Sequence, residues 1–199
     1  MERKTHIMSA NALSLYIVKP TTISSLALTI SLATLGSLIP DVDLKDSIPD
    51  KVIDRLMVSL VTIVIMSVVI NQLFGIDLYS KLKECSDILN YIISIVLFIV
   101  MAYLGSKSPH RSYTHSIIGC IVFSAILSYG FNDNIVIPFF FSYVSHIVLD
   151  LFNMKGLTLL YPLKHRYCFK LCESDGIINK LIFILSSICF IGMIIILCL

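Results

Sequence analysis

Charge is what this chain has least of: Asp, Glu, Lys and Arg make up 14% of its 199 residues, against 57% hydrophobic ones. A soluble globular domain carries about 25% charge and about 45–50% apolar residues. One water-facing surface cannot hide this much hydrocarbon behind so few charges. A soluble core is excluded, and the mean hydropathy of +0.91 indicates a polytopic membrane protein. Basic tracts are missing too, and with a net charge of only +2 no nucleic-acid partner is expected. The six cysteines (85, 120, 168, 172, 189 and 198) lack the even framework of a secreted domain. Four lie within or beside apolar segments, where cysteine behaves as a small hydrophobe. Cys168 and Cys172 share a face if they are helical, but a two-cysteine metal site needs further ligands nearby. No small-x-small cleavage site follows the basic start and short apolar run of MERKTHIMSANALSLYIVKP, so this segment is read as retained. Strand-like alternation is absent from runs such as VSLVTIVIMSVVI, which excludes a barrel and leaves helices.

What is present is seven apolar segments, at 7–18, 23–39, 56–75, 88–105, 117–130, 135–152 and 178–199. A full crossing needs about 20 residues, so 7–18 and 117–130 are short and either partly immersed or packed inside a bundle. The expected fold is an all-α membrane bundle of six to seven apolar helices, some of them short, forming a single domain over residues 1–199. Pro20, Pro40, Pro109 and Pro162 fall at segment ends, where proline is tolerated. If each segment crosses or hairpins, residues 1–6, 40–55, 106–116 and 153–177 share one side. With Lys180 just inside the last segment, that side carries twelve Lys and Arg, against Lys19, Lys81 and Lys83 on the other. By the positive-inside rule this predicts a cytoplasmic N-terminus and an outside C-terminus.

All the polar micro-motifs fall on the cation-rich side: Thr5-His6, Pro40-Asp41-Val42-Asp43, HRSYTHS at 110–116 and SHIVLD at 145–150. His146 and Asp150, four apart, project from one helix face with a metal-chelating bite, or form a hydrogen-bonded pair that only locks packing. Ionisable groups at membrane depth usually face a bundle interior or cavity, and mark a functional site by default. Asp41 and Asp43 converge if the backbone is extended or turning; the stretch also reads as a helix cap and solvated loop. His110 and His115 are about 140° apart on a continuous helix, so His110 belongs to a loop and His115 to the start of the next segment. Ser112 or Thr114 is the expected N-cap there. Arg111 adds a fork matched to phosphate or carboxylate. His6 reaches Asp41 only if 7–18 and 23–39 form a hairpin, and His165 belongs to a basic surface strip.

Four imidazoles and three carboxylates (His6, Asp41, Asp43, His110, His115, His146 and Asp150) exceed the needs of one ion, and two are expected. Zinc takes such nitrogen and oxygen donors, and manganese or iron also suits carboxylate-rich mixtures. Paired metals commonly serve phosphoester hydrolysis, with bound water acidified to a pKa of about 7. In that reading Asp43 or Asp41 accepts the water's proton and Arg111 holds an anionic head group. The substrate is then a membrane lipid or a lipid-linked phosphoester. Two other readings stay open: a proton or metal-ion transporter, whose polar groups must reach both faces, and a non-catalytic scaffold clamped by its His/Asp cluster.

The ordered motifs Thr5-His6, Pro40-Asp41-x-Asp43, His110-Arg111-x-x-Thr114-His115-Ser116 and Ser145-His146-x-x-x-Asp150, with Gly156, Leu160 and Pro162 after them, resemble the YdjM-type family of bacterial inner-membrane proteins. The resemblance covers residues 5 to about 180 and implies metal-dependent hydrolysis. More distantly the pattern is similar to the all-helical zinc-dependent phospholipase C and single-strand nuclease superfamily, whose His-x3-acid pair implies His146 and Asp150 as metal ligands. Those phospholipases also use an N-terminal tryptophan, and this chain contains no tryptophan.

Overall fold

The computed structural model describes residues 1–75, 86–173 and 175–198. Lys81, Lys83 and Cys85 lie outside the described residues. Among the described residues there are seven α-helices: α1 Arg3–Val18, α2 Ile23–Leu38, α3 Ile48–Phe74, α4 Ser86–Ser106, α5 Ile117–Gly130, α6 Asp133–Leu151 and α7 Ile177–Cys198. Among the described residues there is no strand, only the isolated bridges Asn153–Cys172 and Leu157–Tyr167. Among the described residues five stretches, headed by Ile23, Ile48, Ser86, Asp133 and Ile177, are long and apolar enough to cross a membrane. With 16 and 14 residues, α1 and α5 fall short of the ~30 Å hydrocarbon core at 1.5 Å per residue.

The boundaries follow local chemistry. α3 starts eight residues before the apolar segment at 56–75, because the Ser47 side chain accepts the Asp50 N–H at 3.2 Å and Pro49 suits a first turn. The polar turn IPDKVIDR is therefore helix, not loop. Ser116 caps α5 by accepting the Gly119 N–H at 3.0 Å. It takes the place expected for Ser112 or Thr114, because Tyr113–His115 first closes a 3-10 turn. Cys168 and Cys172 lie in non-helical chain between α6 and α7 and share no helix face.

Packing divides the bundle into two halves joined by α6. α1 packs on α2, α6 and α7, and α2 packs on α6; on the other side α4 lies between α3 and α5. Lipid tails are as apolar as leucine, so no hydrophobic effect pulls helices together, and small residues and hydroxyls do so instead. The α1–α2–α6 seam shows this. Ser14 Oγ lies 2.9 Å from Ser142 Oγ, and Asn11 Nδ2 donates to Thr34 Oγ1 at 3.1 Å. At Gly36 a Cβ would stand 2.4 Å from the Phe139 carbonyl oxygen, so glycine is what permits the approach of α2 to α6. The second half is filled by rings: Phe98 meets Phe123 and Phe139 edge-on at 5.2 and 5.6 Å. Outward faces of α3 and α7 stay apolar and exposed, as at Val64, Ile65, Ile184 and Ile188, which suits lipid.

The antiparallel path brings the start of α1, the ends of α2, α4 and α6 and the start of α5 to one end of the bundle. α7 begins there too, where Asn179 Oδ1 accepts the Glu2 N–H at 3.5 Å.

Candidate metal centre

A 3-10 turn, Pro40–Asp43, closes α2. Pro40 fits its start, where an N–H would go unused. A 3-10 helix advances about 120° per residue, so residues two apart point in different directions. Asp41 turns toward the imidazoles of His115 and His146, and Asp43 toward the 110–115 loop. Both carboxylates are buried, which overturns the reading of this stretch as a solvated loop.

Asp43 organises that loop. Its Oδ1 lies 2.8 Å from His110 Nδ1; its Oδ2 accepts the Arg111 N–H at 2.9 Å and the Thr114 hydroxyl at 2.8 Å, and stands 3.3 Å from His115 Nδ1. Arg111 itself has φ +63°, a left-handed conformation that costs a non-glycine residue about 1–3 kcal/mol. Thr158 holds it there: its N–H and its hydroxyl both donate to the Arg111 carbonyl, at 3.1 and 2.9 Å. The strained turn sends the guanidinium inward, with Nη2 3.3 Å from Asp150 Oδ2. Nε and Nη1 are buried and have no hydrogen-bond partner among the described residues.

His146 and Asp150 lie one turn apart on α6, Nε2 to Oδ2 at 3.9 Å. His146 Nδ1 donates to the Ser37 carbonyl at 2.7 Å, which fixes the tautomer and leaves Nε2 with a bare lone pair. His115 Nε2 is likewise buried and unpartnered among the described residues. These two nitrogens converge with Asp41 Oδ1, 3.7 Å from each, and with Asp150 Oδ2, 3.6 Å from His115. Metal–nitrogen bonds of about 2.0–2.1 Å give tetrahedral edges of about 3.4 Å, and these four His–Asp separations, 3.6 to 3.9 Å, are somewhat longer. On one flank His6 Nε2 lies 3.3 Å from Asp150 Oδ1, and its ring stacks on His146 at 3.9 Å. Asp150 Oδ1 also accepts from the Met1 amino group at 3.0 Å. On the other flank are Asp43 and His110, the latter at the rim.

Three overlapping triads meet the spacing of a metal site: His6, His146 and Asp150; Asp41, His115 and His146; Asp43, His110 and His115. His146 has only Nε2 to offer, so the first two triads compete for one atom. Charge also fits a divalent ion. Three buried carboxylates face one guanidinium, one amino group and, without metal, a protonated His115, whose proton a divalent ion would replace. Burial alone would depress the His115 pKa, but the neighbouring Asp41, Asp43 and Asp150 carboxylates push it up to about 9.

All seven predicted ligands and Arg111 thus gather in one cluster, while His165 lies exposed outside it. Sequence reading missed the supports. Thr114 sits inside the HRSYTHS motif but reads there as a cap, and nothing marked Ser37, Thr158 or Tyr143, whose hydroxyl donates to the Thr114 carbonyl. The Gly156-x-x-Leu-Leu segment was the available signal: it pairs Leu157 with Tyr167 and carries Thr158 to Arg111.

Fold and cluster together define an integral membrane helix bundle with buried His/Asp groups able to hold metal at one end. More specifically, the chain belongs to the YdjM inner membrane protein family, whose profile it matches over residues 1–199. No curated protein and no solved structure matches it.

Proposed function

We propose that this protein is a metal-dependent hydrolase of phosphoester bonds in a membrane lipid or lipid-linked substrate, with its site at the cytoplasmic face of the inner membrane. The observation that carries the reading is the convergence of the buried Nε2 atoms of His115 and His146, neither within hydrogen-bond distance of a partner among the described residues, on Asp41 and Asp150. A scaffold clamp has no use for such nitrogens, since a buried unsatisfied nitrogen costs about 1–3 kcal/mol unless something binds it. A transporter needs polar groups leading to both faces, and these gather at one. The cation bias of the connecting loops supports the cytoplasmic assignment.

His115, His146, Asp41 and Asp150 would hold the ion; zinc suits the two-nitrogen, two-oxygen set, and manganese or iron remain compatible with it. His6 flanks this set through Asp150, and Asp43 and His110 lie on its other side. A divalent ion there supplies Lewis acidity and a water that ionises near neutral pH. The chain's residues do the rest. Arg111 offers the unpartnered Nε–H and Nη1–H groups, on different edges of the guanidinium, as separate donors to phosphoryl oxygens. Asp43, already contacted by four donor groups, orients His115 and His110 more than it abstracts protons. At the rim, the His110–Asp43 pair is placed to accept one.

The test is metal analysis of detergent-purified protein beside its His146→Ala and Asp150→Ala variants, with hydrolysis of bis(p-nitrophenyl) phosphate measured before and after chelation. About one divalent ion per chain is expected, with roughly tenfold less in either variant, and activity that chelator removes and zinc restores. Full metal content in both variants, or hydrolysis indifferent to chelator, overturns the reading.

A further inference from the structure

Between α2, α3 and α4 lies a cavity of about 500 Å³ whose lining side chains are all apolar. Leu35, Val52 and Ile95 form its walls, and Leu127 and Phe131 at the end of α5 form its far floor. It exists because α3 packs on α4 and the 3-10 turn while α2 turns its packing face to α1 and α6. Its near end is shaped by Ile39 and by Ile48 and Pro49. Those residues flank the loop that carries Asp41 and Asp43, so cavity and metal centre share one stretch of backbone.

We propose that this cavity is the binding groove for one fatty-acyl chain of the phospholipid whose phosphoester reaches the metal centre; its substrate role rests on the hydrolase reading above. Three observations select that occupant. The groove opens between helices long enough to span the membrane, so hydrocarbon is the medium that reaches it. An α-helix 10–12 Å across fills roughly 400–600 Å³ per turn, so a helix from a second copy would be admitted for about one turn only. A flexible chain has no such limit. Depth matches as well. Ile95 lies eleven residues before Ser106, the site end of α4, or about 16 Å, close to half of the ~30 Å hydrocarbon core and hence to one leaflet. A lipid seated with its chain in the groove carries its phosphate at the polar end, toward Arg111.

The experiment places the full-length protein in nanodiscs with a phospholipid carrying a photoactivatable diazirine midway along one acyl chain. Adduct sites are mapped by mass spectrometry. Labelling of Leu35, Val52 and Ile95 is expected to exceed, several-fold, that of Val64 and Ile184, which face lipid outside the groove. Val52→Trp and Ile95→Trp, which fill the groove away from every proposed ligand, are expected to abolish the excess at the remaining positions. They should also raise KM for a long-chain phospholipid while leaving metal content and bis(p-nitrophenyl) phosphate turnover unchanged. Even labelling over all lipid-facing residues, excess labelling that survives the tryptophans, or cross-links from this face to a second copy overturns the assignment. The two readings fail separately. A labelled groove in a metal-free protein sinks the hydrolase alone, and a metal-loaded protein with even labelling sinks the groove alone.

Discussion

His146 Nε2 and Asp41 Oδ1 stand 3.7 Å apart although 105 residues separate them in the chain. The contact joins the 3-10 turn after α2 to α6, and the backbone braces it, since the Ser37 carbonyl takes the other nitrogen of the same ring. Asp41→Asn keeps the shape of this junction and removes its charge. Divalent-ion affinity should then fall by more than the about 10–100-fold typical of losing an outer-shell partner. Competition titration against a chromophoric chelator reads this, and an unchanged affinity would exclude Asp41 as a ligand.

Asp43 makes the contrasting case. It touches His115 at Nδ1, the nitrogen opposite the one facing Asp41 and Asp150, and so orients and polarises the ring from behind. For Asp43→Asn we expect a metal affinity lower by about 10–100-fold but not abolished. The pH dependence of binding should shift with it, because the neutral amide no longer supports a proton on His115. A variant with wild-type affinity and pH profile would reduce Asp43 to a packing residue.

Protonation of His115 has a sign that can be checked. Its folded pKa of about 9 exceeds the ordinary 6.5. The folded metal-free state therefore binds a proton more tightly than the unfolded chain does. That contribution to stability is fully present below pH 6.5 and is lost as pH rises toward about 9. The metal-free protein should accordingly melt at a lower temperature at the alkaline end of this window. Metal must displace the same proton, so its affinity should rise over the same interval. Thermal scans with and without zinc across these pH values test both, and a metal-free Tm that climbs with pH would reverse the assignment.

Much of this was legible because lipid permits so few solutions. Hydropathy alone marks the seven helices, since in a bilayer each backbone amide has to bond within its own helix. His6, Asp41, His115, His146 and Asp150 stand out because imidazoles and carboxylates at membrane depth are expensive unless they meet. The remainder depends on tertiary contacts that leave no periodicity. The turn at 40–43 and the turn at 113–115 are 3-10 rather than extended or α, which separates Asp41 from Asp43 and moves the cap from Ser112 or Thr114 to Ser116. Arg111 adopts positive φ because Thr158, far along the chain, holds its carbonyl. The first turns of α3 are polar, so an apolar scan starts that helix too late.

Gly36 tests the packing that delivers Asp41 to α6. A methyl group there meets the Phe139 carbonyl at 2.4 Å and Ser142 Cβ at 3.0 Å, and neither is the far end of a flexible side chain. Gly36→Ala should cost about 1–3 kcal/mol in detergent unfolding, as overpacking typically does. It should also weaken metal binding, because α2 carries Ser37 and the Asp41 turn away from His146. Wild-type stability would mean that the two helices have room to part.

Arg111→Lys separates substrate binding from metal binding. The guanidinium presents Nε and Nη1 in a plane, buried and unpartnered among the described residues, while Nη2 meets Asp150. Lysine keeps the positive charge beside Asp150 but supplies a point charge without these separate donors. Metal content should therefore stay near wild type while kcat toward a phosphodiester falls by about 10²–10³-fold, the typical loss of one transition-state donor. Arg111→Ala additionally leaves Asp150 without its guanidinium partner and should lower metal retention or folding yield as well. A lysine variant as active as the unaltered protein would show that phosphate is held elsewhere, and the strained turn at Arg111 would then serve only to present its N–H to Asp43.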